Sequence, residues 1–127
     1  LQVRALKEHA DYPEIQEAWE TTFLFMDKIA QKAREQNASF LLVVFPYVFQ
    51  GDTLASTPWK PSALFEFAET KKYPTIDMRE VFLRDRKETG QETFQPYLQD
   101  FCHPTDYGTD LAAEAIILQI QESNLLQ

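Results

Sequence analysis

The chain has 127 residues, 44% of them hydrophobic, which allows one domain with a hydrophobic core, spanning residues 1–127, and not two. Its 20 acidic residues outnumber the 12 basic ones, so the net charge of -8 leaves no basic stripe for a phosphate backbone, and no nucleic-acid partner is expected. The single Cys102 excludes an internal disulfide, and no apolar run reaches the roughly 18 residues of a membrane span.

The first predicted element is a long amphipathic helix from Glu14 to Gln36. Its charged side chains lie largely opposite an apolar face, as expected for a helix that packs on one side. Asn37 follows as a plausible C-cap. The apolar positions recur at helical spacing: Ile15, Trp19, Thr22, Phe23, Met26, Ile29, Ala30 and Ala33.

The run from Phe40 to Phe45 is continuously apolar, which is typical of a strand buried on both faces in a parallel sheet. The loop that follows, Tyr47 to Lys60, is rich in aromatic residues and turn formers. Ligands of open α/β sheets bind at the carboxyl ends of the strands, so aromatic residues here could wall a substrate pocket, or simply pack on the core. The candidate substrate-binding residues are Tyr47, Phe49 and Trp59.

The next segments repeat the alternation of helix and strand. We predict a helix from Pro61 to Lys72, a short strand from Tyr73 to Met78 and a helix from Glu80 to Arg86 that ends before Gly90. This order indicates the α/β class with parallel strands. Two parallel strands alone make a poor sheet, so we expect an upstream half or a second copy in a homodimer to complete it.

Asp100 and His103 are the most informative pair in the chain. The carboxylate lies three residues before the histidine, close enough in a bent loop to bond its ring nitrogen. Pro104 disfavours the α conformation at His103, and Thr105 can cap a following helix that includes the apolar run 111–120. An aspartate that fixes a histidine tautomer forms, with that histidine, the orienter and base of a serine hydrolase triad. The pair lacks a nucleophile.

The block Asp100-x-x-His103-Pro104-Thr105-x-x-Gly108, followed by Ala112-Ala113-Glu114-Ala115-Ile116, resembles the last block of the SGNH hydrolases, the GDSL-type esterases and lipases. The resemblance implies a three-layer α/β/α, flavodoxin-like fold. The chain would be its C-terminal part, with about two parallel strands and three or four helices. It also implies ester hydrolysis through an acyl-serine, with His103 as base, Asp100 as its orienter, and neither cofactor nor metal.

The earlier blocks of that family have no counterpart here. The Gly-Asp-Ser turn, the oxyanion-hole glycine and the Gly-x-Asn-Asp loop all match nothing in the sequence. Only 3 glycines are present, whereas roughly nine are usual at this length, and the absent blocks are the glycine-rich ones. The serine is therefore expected from a missing front half, and the chain alone is expected to be inactive.

Two other patterns in the sequence contain a candidate nucleophile or base. Gly51-Asp52-Thr53-Leu54 is similar to the Gly-Asp-Ser-Leu turn, with threonine in place of serine. It lies beyond a later strand, and threonine nucleophiles usually rely on an N-terminal amine, so we interpret it as an ordinary turn. His9, in a charged stretch, is expected to be solvated.

A metal site and a cysteine dyad are also conceivable. Asp100, His103 and Asp106 could be drawn as metal ligands, but they have neither the ligand number nor a diagnostic spacing. Cys102 adjoins His103, and neighbours in an extended segment point to opposite sides, so a Cys/His dyad is not expected and Cys102 is interpreted as a small core residue.

Three functional alternatives remain open at this stage. The aromatic loop suggests a carbohydrate O-acetyl esterase or transferase, whose substrate would be an acylated carbohydrate and not a simple small ester. A different class is a non-catalytic binding or assembly module that keeps the back half of an SGNH fold. In the plainest interpretation, His103 only caps or packs near the start of the last helix.

Overall fold

The structure is a computed structural model that describes residues 12–47 and 62–123. Within these ranges the chain divides into two compact units, residues 12–40 with 62–73 and residues 41–47 with 74–123. The single-domain organisation of residues 1–127 stays a prediction. No helix in the two ranges is both long enough and apolar enough to cross a membrane, as the sequence predicts.

The first unit is a pair of helices, α1 (Pro13–Glu35) and α2 (Ser62–Lys71). Rings of the two helices stack, with the centroids of Phe23 and Phe67 4.4 Å apart. Asp27 on α1 accepts hydrogen bonds from Lys71 Nζ and from the Tyr73 hydroxyl, the latter at 2.6 Å. Both helices lie where the apolar periodicity predicts them.

Both helices of this unit end with a residue in the left-handed conformation. Asn37 has a φ of 54°, and the amide of the next residue, Ala38, donates to the Ala33 carbonyl at 2.8 Å. This is a Schellman motif in which Gln36 is the C-cap, so the predicted cap at Asn37 was one residue late, and Asn37 is the left-handed residue that follows it. Lys72 ends α2 in the same way with a φ of 56°.

The second unit contains two parallel strands, β1 (Leu42–Val44) and β2 (Thr75–Asp77). Val43 pairs with Ile76 at the centre of the ladder. The α/β class with parallel strands is therefore confirmed. The predicted strand Phe40–Phe45 was too long, and its predicted burial on both faces was wrong, because β1 is half-buried throughout and has one strand neighbour among the described residues.

Helix α3 (Met78–Thr89) begins directly at the end of β2. The Asp77 side chain accepts a hydrogen bond from the Arg79 amide at 3.1 Å, which caps the first turn. The predicted helix Glu80–Arg86 was too short at both ends. The helix begins at Met78, because no loop separates it from β2, and it continues to Thr89. Gly90 is the C-cap of α3 and has a φ of 74°, so the helix ends before Gly90, as predicted.

The last helix, α4 (Asp106–Glu122), begins at the predicted cap. Thr105 Oγ1 accepts a hydrogen bond from the Gly108 amide at 3.0 Å. Helices α3 and α4 pack against the sheet around a cluster of fully buried side chains. Within it the rings of Phe82 and Tyr97 stack at 4.9 Å, and Phe94 meets Phe82 edge-on at 5.8 Å. This cluster anchors the turn from which the Asp/His loop emerges.

Candidate active site

The loop that carries Asp100 and His103 is closed at its base by backbone hydrogen bonds. The Gln99 amide donates to the His103 carbonyl at 2.9 Å, and the Thr105 amide donates to the Tyr97 carbonyl at 2.9 Å. Together they form a short antiparallel bridge next to the buried Tyr97. The loop is thus tied to the core on one side and to the first turn of α4 on the other.

The two carboxylate oxygens of Asp100 have different partners. Oδ1 accepts from the amides of Cys102 at 2.9 Å and His103 at 2.8 Å, while Oδ2 lies 2.7 Å from His103 Nδ1. The two amide hydrogen bonds, followed by the one from the imidazole, lower the pKa of Asp100 from 3.8 to about 2. The predicted Asp/His hydrogen bond is therefore present, and the carboxylate stays ionised at neutral pH.

An ionised carboxylate can only accept, so the proton between Oδ2 and the ring belongs to His103 Nδ1. The lone pair of the neutral imidazole is then on Nε2, away from Asp100. The His103 side chain is 65% exposed and that of Asp100 is 45% exposed, so the ring is open to solvent. No residue in the ranges 12–47 and 62–123 hydrogen-bonds Nε2, which leaves that nitrogen available to a substrate or nucleophile.

The threonine hydroxyl of the motif already makes two hydrogen bonds. Thr105 Oγ1 donates to the Pro96 carbonyl at 2.7 Å and accepts from the Gly108 amide. It is therefore a structural cap and not a nucleophile. The structure thus brings Asp100 and His103 together, and the described part of the chain offers no nucleophile at Nε2.

Tyr47 is the one predicted substrate-binding residue that the structure describes. It lies three residues after β1, and its ring stacks on Phe101 with centroids 6.3 Å apart and an interplanar angle of 9°. Phe101 is 60% exposed and directly follows Asp100, so an aromatic pair adjoins the Asp/His loop. The sequence prediction missed Phe101, although a large apolar residue in a polar loop is the signal for it. The other predicted residues, Phe49, Trp59, Gly51-Asp52-Thr53-Leu54 and His9, lie outside the described residues.

The prediction that Cys102 points away from His103 was wrong. Its Sγ lies 3.9 Å from His103 Nδ1, because Asp100 binds two successive amides and bends residues 101–103 into a turn. The alternation of an extended chain therefore does not apply here. Cys102 is half-buried, whereas we had interpreted it as a core residue.

The position of Sγ does not create a Cys/His dyad. In a triad the nucleophile and the orienting acid bond opposite nitrogens of the imidazole. Here Sγ and Oδ2 both face Nδ1. The arrangement instead places a carboxylate oxygen of Asp100, the thiol of Cys102 and a ring nitrogen of His103 within 4.8 Å of one another, a set that does not include Asp106.

A second carboxylate, that of Asp85, binds residues on both sides of the Asp/His loop. Asp85 on α3 accepts hydrogen bonds from the hydroxyls of Tyr97 at 2.8 Å and Tyr107 at 2.9 Å. Burial, followed by the hydrogen bond to Asp85, raises the pKa of Tyr97 to about 12, so its hydroxyl remains a donor. Asp85 thus ties α3 to the turn before the loop and to the first turn of α4. No local pattern in the sequence marked Asp85 for this role.

A groove of about 480 Å³ opens along β2, α3 and α4. Its lining includes neither Asp100 nor His103, and it bears one basic residue, Arg84. A ligand bound in this groove would therefore not contact the Asp/His pair. The acidic residues that line it are Asp77, Glu80, Asp85, Glu88, Glu114 and Glu122.

Comparison with known proteins gave no relative: no family model, no curated protein and no solved structure matches the chain. The relationship to SGNH hydrolases therefore stays a prediction based on the block from Asp100 to Gly108.

Proposed function

We propose that this chain supplies the acid/base part of an acyl-serine ester hydrolase of the SGNH type. The observation that carries the proposal is the 2.7 Å hydrogen bond between Asp100 Oδ2 and His103 Nδ1, on a ring that is 65% exposed. This geometry leaves Nε2 as a free base in an open position, which is what activation of a serine hydroxyl requires. A histidine that only packed near the helix start would have no need of an ionised partner.

In the proposed mechanism, His103 Nε2 removes the proton of a serine as its oxygen attacks the ester carbonyl. The imidazolium that forms is stabilised by Asp100, and it then returns the proton to the leaving alcohol. Water attacks the acyl-serine by the same route, which releases the acid and restores the serine. No metal or cofactor takes part in these steps.

The serine and the oxyanion donors must come from outside the described residues. We propose that they belong to the front half of a three-layer α/β/α SGNH fold, whose strands would extend the sheet at β1. A partner subunit in a homodimer is the other possible source. The described chain alone is then expected to be inactive towards esters.

The test uses the full-length natural protein that contains this sequence, with p-nitrophenyl acetate as a small ester. Loss of the base in His103→Ala is expected to lower kcat by about 10³-fold, within the range for general acid–base catalysis, with little change in KM. His9→Ala is the matched control, since His9 is the other of the two histidines in the 127-residue sequence. Labelling by a fluorophosphonate should require the intact protein.

Two outcomes would contradict the proposal. Unchanged turnover in His103→Ala would remove that residue from the mechanism. An intact protein that neither hydrolyses esters nor reacts with the fluorophosphonate would favour a non-catalytic binding or assembly module.

A carbohydrate O-acetyl esterase or transferase is the second candidate. The stacked pair of Tyr47 and Phe101 favours it, because an exposed aromatic face beside the base can pack against the apolar face of a sugar ring. Acetate release from an acetylated polysaccharide should then exceed that from p-nitrophenyl acetate. Phe101→Ala should raise KM for the polysaccharide and leave turnover of the small ester unchanged.

A further inference from the structure

We propose that Asp100, Cys102 and His103 form a binding site for zinc or a similar borderline-soft divalent metal ion. One carboxylate oxygen, the thiol sulfur and one imidazole nitrogen lie within 4.8 Å of one another. Nδ1 itself lies 3.9 Å from Sγ and 2.7 Å from Oδ2. Cys102 has no role in the proposed hydrolase mechanism, so the site uses a side chain that ester chemistry leaves unexplained. Carboxylate oxygen, thiolate and imidazole are all zinc ligands, and the thiolate disfavours magnesium and calcium.

The observed separations are close to those of a tetrahedral zinc centre. Usual zinc–sulfur and zinc–nitrogen bond lengths at tetrahedral angles place the two ligand atoms about 3.6 Å apart. Cys102 Sγ lies 3.9 Å from His103 Nδ1, so a few tenths of an ångström separate it from that value. The 2.7 Å contact between Nδ1 and Asp100 Oδ2 must widen to about 3.3 Å, because the metal takes the place of the shared proton.

The loop is already organised for such a site. Asp100 Oδ1 holds the amides of Cys102 and His103, which fixes the carboxylate, while Oδ2 faces His103 Nδ1 and can exchange that hydrogen bond for a bond to the metal. All three ligands lie within four residues, so binding needs only side-chain adjustments. Three protein ligands leave a fourth position open to water or to a substrate group.

Metal binding changes the protonation of the loop in a defined way. The thiol of Cys102 loses its proton to solvent, since the thiolate is the ligand. The imidazole stays neutral, but its proton moves from Nδ1 to Nε2 when Nδ1 binds the metal. On the basis of the proposed function, the Nε2 lone pair that acts as the base is then blocked, and zinc should inhibit ester hydrolysis.

The binding test uses the chain after treatment with a chelator, and it requires no ester turnover. Zinc titrated by calorimetry should bind with one ion per chain. Cobalt should give a thiolate-to-metal charge-transfer absorption in the near ultraviolet. Cys102→Ser and His103→Ala should each weaken zinc binding by at least about tenfold, and Cys102→Ser should abolish the cobalt band.

Asp106→Asn is the matched control, because it removes an adjacent exposed carboxylate that is not in the cluster. Zinc affinity in this variant should be unchanged. Failure of the wild-type chain to bind zinc, or equal affinity in Cys102→Ser, would overturn the proposal. The failure of the hydrolase proposal would appear separately, as unaltered ester turnover in His103→Ala of the full-length protein.

Discussion

At the scale of single residues, Asp100 has two separate tasks. One oxygen folds the loop by accepting two backbone amides, and the other orients the His103 ring. The spacing of the two residues and the following Pro104 were sufficient to predict the contact. The position of Cys102 was not predictable, because the turn that brings Sγ to the ring depends on both amides binding the same oxygen.

The variant Asp100→Asn separates these two tasks. The amide keeps the Oδ1 acceptor for the backbone, but its NH₂ group replaces Oδ2 and donates to Nδ1, which moves the ring proton to Nε2. A serine hydrolase with this wrong tautomer loses about 10⁴-fold in kcat. We expect a loss of that order in the full-length protein, with only a small decrease in its thermal midpoint, because the Oδ1 hydrogen bonds remain but the charge of the carboxylate is lost.

Asp100→Ala is the comparison, since it removes both acceptors. It should lower the thermal midpoint as well as the activity. Equal activity in Asp100→Asn and the wild type would show that the orientation of the ring is irrelevant to function.

At the scale of elements, the close approach of α4 to the turn before the loop is the critical contact. A Cβ at Gly108 would lie 2.2 Å from the Tyr97 carbonyl oxygen, so only glycine fits at this point of the first turn. Gly108 belongs to the block that resembles the SGNH family, but the steric requirement for glycine at this position is visible only from the packing against Tyr97. Similarly, the periodicity predicted the helices well, whereas the direct passage from β2 to α3 depends on the Asp77 cap.

Gly108→Ala should therefore destabilise the chain by about 1–3 kcal/mol, the usual cost of overpacking. The clash is with the backbone, so it should also shift the Asp/His loop and lower activity in the full-length protein. Denaturant unfolding and ester turnover measure the two effects.

Gly90→Ala is the control for a glycine replaced without a clash. A Cβ at Gly90 has open space around it, and only its φ of 74° opposes the substitution, at a cost of about 1 kcal/mol. Its activity should remain that of the wild type. A Gly108→Ala variant with wild-type stability would mean that α4 does not approach Tyr97 as described.

At the scale of the whole molecule, the acidic composition makes stability dependent on pH. Asp27 is a clear case, since hydrogen bonds from Lys71 and then Tyr73 lower its pKa below 3.8. A carboxyl with a lowered pKa in the folded state stabilises the fold above its unfolded pKa. This contribution is lost as the pH falls through the folded value.

Asp27→Asn should therefore be less stable than the wild type at neutral pH. The difference should shrink below pH 3.8, where the wild-type carboxyl also becomes protonated in the unfolded chain. Urea unfolding at several pH values measures both curves. A difference between the two proteins that did not change with pH would show that the charge of Asp27 is not what stabilises the helix pair.

The α/β class was predictable from the sequence, whereas the number of strands that complete the sheet was not. Alternating helices and apolar runs were sufficient to predict parallel strands, because each pattern follows from local periodicity. The half-buried β1 could not be predicted from its apolar run alone, since burial depends on what pairs with the strand. The SGNH family remains a prediction, because short local patterns do not specify how many further strands a sheet has.

The proposed function depends on one property of the loop, namely that Asp100 holds the neutral His103 ring with its proton on Nδ1 and its lone pair on Nε2. The most direct test is nitrogen-15 NMR of the imidazole at a pH where the ring is neutral, with Asp100→Asn measured alongside. We expect a protonated Nδ1 in the wild type and a protonated Nε2 in the variant. A wild-type ring that carries its proton on Nε2 would contradict this expectation.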